Sequence, residues 1–137
     1  MRVRVYGLVV ALVLLSGVAF PAGAHHALQA QYDMSKRQSF TGVLTRFAVI
    51  NPHCKWFFDV KKPDGTTEKW ELAAGGPQVL RANGLIRIFK AGDTYEVNYA
   101  PSRNGSPMGR VIDFKFADGR VVAMYHEDPN NPLYERN

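Results

Sequence analysis

Residues 39–60, SFTGVLTRFAVINPHCKWFFDV, carry the strongest indication of the fold of this chain. The first half, residues 39–50, is rich in β-branched and aromatic residues, which predicts one long strand. Gly42 lies inside that strand and predicts a bulge or a sharp bend there. Asn51-Pro52 interrupts the pattern, and residues 53–60 form a second predicted strand. Strict alternation places four of its side chains on the core face: Cys54, Trp56, Phe58 and Val60.

The remaining elements follow from turn residues and apolar spacing. Asp64-Gly65 predicts a turn into a third strand, Pro77 opens a short helix, and Asn83-Gly84 closes it in a left-handed C-cap. The predicted strands after the first two are residues 67–72, 94–99, 110–116 and 120–125.

Three strands, one helix and then two or three strands is the element order of the OB-fold. We therefore predict a mainly β protein, a small OB-like antiparallel barrel of five to six strands with one short helix. A plain antiparallel meander packed on one helix has the same strand count and stays open as an alternative. The predicted core consists of Val43, Trp56, Phe58, Trp70, Leu80, Val97 and Ile112.

The first 24 residues have the pattern of a secretory signal peptide. Arg2 and Arg4 precede an apolar run from Leu8 to Phe20, and Ala22-Gly23-Ala24 provides a small-x-small cleavage site. The apolar run is shorter than the roughly 20 residues that a spanning helix needs, so an uncleaved anchor is the less favoured alternative. The prediction is a signal peptide over residues 1–24, export to the periplasm or the medium, and no membrane span after cleavage.

Cleavage after Ala24 leaves 113 residues, which is enough for one small domain. We predict a barrel domain with an N-terminal arm over residues 25–126 and a flexible tail over residues 127–137. Without the two leader arginines, fifteen basic residues face twelve acidic ones. That mild positive charge gives little affinity for a polyanion. The lone Cys54 cannot form an internal disulfide, and a buried thiol is its favoured interpretation.

The mature chain resembles a family of small exported bacterial proteins that is known only as a domain of unknown function. Members begin, after the signal peptide, with a His-His pair and carry an Asn-Pro-His segment. The matching residues here are His25-His26, Tyr32-Asp33, Gly42, Asn51-Pro52-His53, Asp59, Asp64-Gly65, Trp70, Gly84, Lys90 to Asp93, and Asp118-Gly119-Arg120. Lys55 departs from the pattern, because the resemblance implies an aromatic residue two places after the motif histidine. The resemblance implies export and a small β-domain, and it brings no activity.

The histidines predict a metal site that exists only after export. A mature N-terminal His25 offers its amine and ring nitrogen, His26 lies beside it, and His53 is the natural third ligand. Nitrogen ligation of this kind favours Cu(II) among the divalent metals. Two alternatives stay open: His26 binds with the amine and its own amide nitrogen without His53, or His53 is a structural residue that hydrogen-bonds a backbone carbonyl.

The sequence contains no phosphate loop, dinucleotide fingerprint, zinc-protease motif or cysteine-pair zinc signature. We therefore predict no enzyme. Export and the mild charge also argue against nucleic acid, although OB-folds often bind it. The alternative to copper binding is a non-catalytic module of the cell envelope that binds a protein, a peptide or a glycan on its barrel face.

Overall fold

Six strands of the protein form one sheet that closes into a barrel. The computed structural model describes residues 30–124; the predicted signal peptide, His25, His26 and the predicted tail lie outside these residues. The elements are β1 (Gln38–Ala48), β2 (Lys55–Lys61), β3 (Thr67–Ala73), α1 (Pro77–Ala82), a 3-10 turn (Leu85–Arg87), β4 (Thr94–Pro101), β5 (Met108–Lys115) and β6 (Val121–Ala123). Each strand and the helix overlap the segment that the sequence predicts.

The strand order defines the OB type. The sheet runs β3-β2-β1-β4-β5-β6, and all neighbouring strands in that order are antiparallel. A parallel pairing of β3 with β5, from Glu71–Ala73 to Met108–Arg110, closes the first five strands into a barrel. A meander would not place β1 between β2 and β4 and would contain no parallel pair. The OB-like prediction is confirmed, and β6 is an extra strand on β5.

β1 serves both halves of the barrel. Its first half pairs with β4 and its second half pairs with β2, and the two ladders meet at Val43. Gly42 is buried at this junction, where an added Cβ would lie 3.0 Å from Val60 Cγ2 and 3.2 Å from the Asp59 carbonyl oxygen. The predicted bulge at Gly42 is wrong, because the register shift falls between Leu44 and Arg46. Gly42 instead allows the close approach of β2.

The core is mainly aromatic. Trp56 lies at its centre, 4.8 Å from the stacked ring of Phe47 and 5.3 Å from Phe89. The largest side chains that are almost fully buried are Trp56, Tyr95, Phe58, Phe114, Leu44, Leu72, Leu80, Met124, Val97, Val111 and Cys54. Of the predicted core, Trp56, Phe58, Leu80 and Val97 are confirmed.

Three predicted core residues are not fully buried. Val43 is 40% exposed, because Gly42 and Leu44 take the inward positions of β1. Ile112 is half-buried, because a second register shift leaves it without a partner on β4, whereas Val111 and Asp113 pair with that strand. Trp70 is half-buried and packs against Phe40 and Tyr99 at 5.2 and 5.0 Å.

The segment before β1 packs on the barrel. Tyr32 is only 2% exposed and forms an isolated antiparallel bridge with Ser102. Arg37 forms a salt bridge with the buried carboxylate of Asp113, which also accepts a hydrogen bond from Asn98 at 2.6 Å. The sequence predicts an arm here but gives no sign that Tyr32 belongs to the buried set.

Candidate ligand-binding cleft

An open cleft of about 470 Å³ crosses the outer face of the barrel. It begins at the second half of β1, crosses β2 and β3, and ends at the loop between β4 and β5. Its lining residues are Thr45, Arg46, Phe57, Phe58, Asp59, Lys69, Trp70, Glu71, Ser106, Pro107 and Met108. The volume lies in the range of roughly 300–1,000 Å³ that is typical of ligand sites.

The β-bulge in β1 determines which side chains face this cleft. Leu44 pairs with Phe58 and Arg46 pairs with Phe57, so Thr45 is the extra residue. In a regular strand, Arg46 would share the inward face with Leu44. The bulge instead leaves both Thr45 and Arg46 exposed and turns Phe47 towards the core. Bulges often redirect a side chain beside a functional site.

Arg46 and Phe57 form one unit on this face. The Arg46 Cζ atom lies 3.9 Å from the centroid of the Phe57 ring, which is a cation–π contact. The Thr45 hydroxyl donates a 3.0 Å hydrogen bond to the Phe57 carbonyl oxygen and so ties the bulge to β2. The guanidinium is therefore held over an aromatic platform, and it covers one face of that ring.

The other charged side chains of the cleft are paired. Lys69 lies 3.1 Å from the carboxylate of Asp59, and the Glu71 carboxylate forms a salt bridge with Lys55. These are cross-strand neighbours on the exposed face of β2 and β3. Within residues 30–124, Arg46 makes no salt bridge. The cleft therefore carries one positive charge without a carboxylate partner.

The loop between β4 and β5 bounds the far end of the cleft and is held in place by hydrogen bonds. The side-chain oxygen of Asn104 accepts hydrogen bonds from the Ser106 backbone N–H at 3.0 Å and from its hydroxyl at 2.6 Å. The Glu71 N–H donates to the Pro107 carbonyl oxygen at 3.0 Å, which joins the loop to β3. Hydrogen bonds between side chains and nearby backbone groups satisfy backbone groups that have no partner in the sheet, and so they hold the shape of the loop.

The predicted metal ligands are described only in part. His53 is half-buried in the connection between β1 and β2, whereas His25 and His26 lie outside the described residues. Residues 30–124 contain no cluster of three metal-ligating side chains. The copper site at His25, His26 and His53 therefore stays a prediction.

Cys54 is fully buried, as the sequence predicts. Burial raises the pKa of its thiol, which disfavours the reactive thiolate. Its backbone is paired on both sides, because its N–H donates to Gly75 and its carbonyl oxygen accepts from Ala74. Cys54 packs as part of the core at the start of β2.

None of the helices in the described part of the chain is long and apolar enough to cross a membrane.

Phe57 lies in the predicted second strand, residues 53–60, but the sequence patterns do not identify Arg46 or Phe57 as a site residue. The available signal is the pair Thr45-Arg46 between Leu44 and Phe47, because two consecutive polar residues break the period of a half-buried strand. Such a break indicates a bulge. It does not show which ring lies under the arginine, since that depends on the register with β2.

The fold and the cleft define a small OB-type barrel with an open outer face. The chain belongs to a family of unknown function, DUF6152, whose model matches residues 12–111. No curated protein matches the chain. Among solved structures, the mitochondrial single-stranded DNA-binding protein Rim1 of S. cerevisiae is similar, with 13% identity and a TM-score of 0.47. The similarity covers 66% of this chain and 96% of Rim1. The family match leaves the His-His start, the Asn-Pro-His motif and bacterial export as predictions.

Proposed function

We propose that this domain is a non-catalytic binding module that holds an extended peptide segment across β1, β2 and β3. The cleft of about 470 Å³ on the outer face is the observation that carries the proposal. The strand 2–3 face and the loop between strands 4 and 5 form the usual ligand surface of OB-folds. Here the loop is fixed by its own hydrogen bonds, so the cleft is preformed and loses little entropy on binding.

A peptide fits this cleft better than a single-stranded nucleic acid does. Single-stranded nucleic acids bind OB-folds by stacking bases on open aromatic rings in a positive groove. In this cleft the outer face of Phe57 is covered by Arg46 at 3.9 Å, and the remaining lining charges are paired. The half-buried side chains of Pro107 and Met108 add apolar contacts that suit a peptide side chain.

The proposal includes the export predicted from residues 1–24, so the partner belongs to the periplasm or the extracellular space. Intact-mass analysis of the exported protein tests this part. A mature chain that begins at His25 supports it. A chain that retains residues 1–24 contradicts it.

Blocking the cleft tests the binding proposal. The mature protein is used to select binders from a random 12-residue peptide library displayed on phage, and the affinities of synthetic peptides are measured by fluorescence anisotropy. Lys69→Trp places a bulky ring in the cleft at a position that is 84% exposed, so the fold is retained. Lys61→Trp is the matched control, since Lys61 is an exposed lysine on neighbouring β2 outside the cleft.

The proposal expects selected peptides that lose at least tenfold in affinity with Lys69→Trp and keep it with Lys61→Trp. Peptides that both variants bind equally well would refute the cleft as the site. Binding of a chitin oligosaccharide or an oligo-dT strand that Lys69→Trp abolishes, while no peptide binds, would keep the cleft as the site and refute a peptide as its ligand.

A further inference from the structure

We infer that the Arg46–Phe57 unit is a receptor for one carboxylate, the side chain of an Asp or Glu residue in the bound peptide. This inference rests on the proposed function, because it names the chemistry that the same cleft recognises.

The position of Arg46 is built by the fold. Without the bulge at Thr45, the strand period would direct Arg46 into the barrel. The register shift directs it outward, and Phe57 on β2 lies under the guanidinium at 3.9 Å. An exposed arginine otherwise samples many rotamers, and fixing it on a ring removes part of the entropy that binding would cost. The platform therefore preorganises the charge.

The contact with Phe57 leaves the hydrogen-bonding edge of Arg46 available. A guanidinium is planar and carries five N–H donors in its plane, whereas a cation–π contact uses its face. Arg46 is exposed, and within residues 30–124 its guanidinium forms no salt bridge and no side-chain hydrogen bond besides its contact with the Phe57 ring. Two parallel N–H groups match the two oxygens of a carboxylate.

The balance of charges in the cleft favours a peptide that places a single acidic residue beside Arg46. Lys69 and Asp59 neutralise each other, and so do Lys55 and Glu71, which leaves the charge of Arg46. One carboxylate from the ligand completes the balance. Phosphopeptides are usually recognised by clusters of arginines, and among residues 30–124 Arg46 is the sole arginine that lines this cleft. The structure therefore favours an Asp or Glu side chain over a phosphate.

The affinity of the selected peptides tests the inference. Sequencing the phage peptides shows whether Asp or Glu is enriched at one position. A synthetic peptide is then compared with its amide counterpart, in which that acid is replaced by Asn or Gln, on the wild type and on three variants. Arg46→Gln removes the charge, Arg46→Lys keeps the charge without the planar fork, and Arg87→Gln is the control. Arg87 is an exposed arginine outside the cleft.

We expect the amide peptide to bind the wild type on the order of tenfold to a hundredfold more weakly, the range for a hydrogen-bonded charge. Arg46→Gln should bind the two peptides equally, and Arg46→Lys should restore only part of the difference. Arg87→Gln should match the wild type. An unchanged thermal midpoint for Arg46→Gln shows that the fold is intact.

Two results would overturn the inference in distinguishable ways. In the first case, Lys69→Trp blocks the selected peptides, but Asp and Glu are not enriched in them, or Arg46→Gln still prefers the acidic peptide over its amide counterpart as strongly as the wild type does. The carboxylate receptor is then refuted and the binding module stands. If no selected peptide is blocked by Lys69→Trp, the proposed function fails and the inference fails with it.

Discussion

Gly109 lies where the barrel closes, and replacing it with alanine tests the packing of that closure. Gly109 is in the parallel pairing of β5 with β3, opposite Leu72. A Cβ atom at this position would lie 2.5 Å from Cδ2 of Tyr99 and 3.0 Å from Cδ2 of Leu72. Ordinary contacts between carbon atoms are about 3.5–4.0 Å. The methyl group therefore overlaps Tyr99 by about 1 Å.

Neither neighbour is free to move away. Leu72 is fully buried, and Tyr99 is 4% exposed. The Tyr99 ring packs against Phe40 and Trp70, and its hydroxyl donates to Gln38 Oε1 at 3.1 Å. Overpacking of a core costs about 1–3 kcal/mol. The lower entropy of the unfolded alanine chain offsets about 0.4–1 kcal/mol of this. The difference between these ranges is about 0–2.6 kcal/mol, and the overlap with a fixed ring places the loss in its upper part. We therefore expect Gly109→Ala to lower the free energy of unfolding by about 1.5–2.5 kcal/mol.

Urea denaturation followed by tryptophan fluorescence measures this change. The midpoint should fall while the m-value stays constant, since the exposed surface is the same. Tyr99→Leu combined with Gly109→Ala should cost less than the sum of the two single variants, because the smaller side chain relieves the overlap. A Gly109→Ala protein as stable as the wild type, or additive single costs, would refute the proposed steric conflict.

Three other predictions concern the barrel and the metal site. Trp70→Ala should lower the free energy of unfolding by about 3 kcal/mol, which is the lower end of the range for an aromatic truncation, because Trp70 is half-buried. A loss below about 1 kcal/mol in urea denaturation would show that its contacts with Phe40 and Tyr99 contribute little to stability. Burial, reinforced by the Glu71 carboxylate, raises the pKa of Tyr32 above its ordinary 10.0, so its contribution to stability is complete below pH 10 and is lost as pH rises further. Tyr32→Phe should flatten that alkaline loss, and parallel pH profiles for the two proteins would show that Tyr32 does not cause it. If His25, His26 and His53 bind Cu(II), binding should weaken below about pH 6.5, where protons occupy imidazole. One extra residue before His25 should then reduce the Cu(II) affinity, and His53→Ala should reduce it without unfolding the protein. Identical electron paramagnetic resonance spectra and identical affinities for the authentic and extended chains would show that the terminal amine is not a ligand.

Much of the fold is predictable because its signals are local. The alternation of Cys54, Trp56 and Phe58 predicts the buried face of β2, and these three residues are fully or almost fully buried. The closing glycine of the helix also follows from sequence, and Gly84 has a φ of 69°. A strand period and a left-handed cap depend on neighbouring residues alone.

Local sequence patterns do not predict the β-bulges, and so they do not predict which residues beside a bulge face the core. Val43 and Ile112 are apolar and β-branched, so sequence alone cannot separate them from Leu44 and Val111. The partner strand decides, because its register determines which of two neighbouring residues faces the core. The same dependence explains why Thr45 is the extra residue of β1 and Gly42 is not.

The class of the protein is predictable from its sequence: a small β-domain, its element order, part of its aromatic core and a buried Cys54. These follow from composition, periodicity and turn residues, which act over a few positions. The candidate site depends on the tertiary structure, because Arg46 and Phe57 are 11 positions apart in the chain and meet through the register of β1 with β2. The unpaired charge is likewise a property of the folded surface, since cross-strand neighbours determine which lysines and carboxylates neutralise each other.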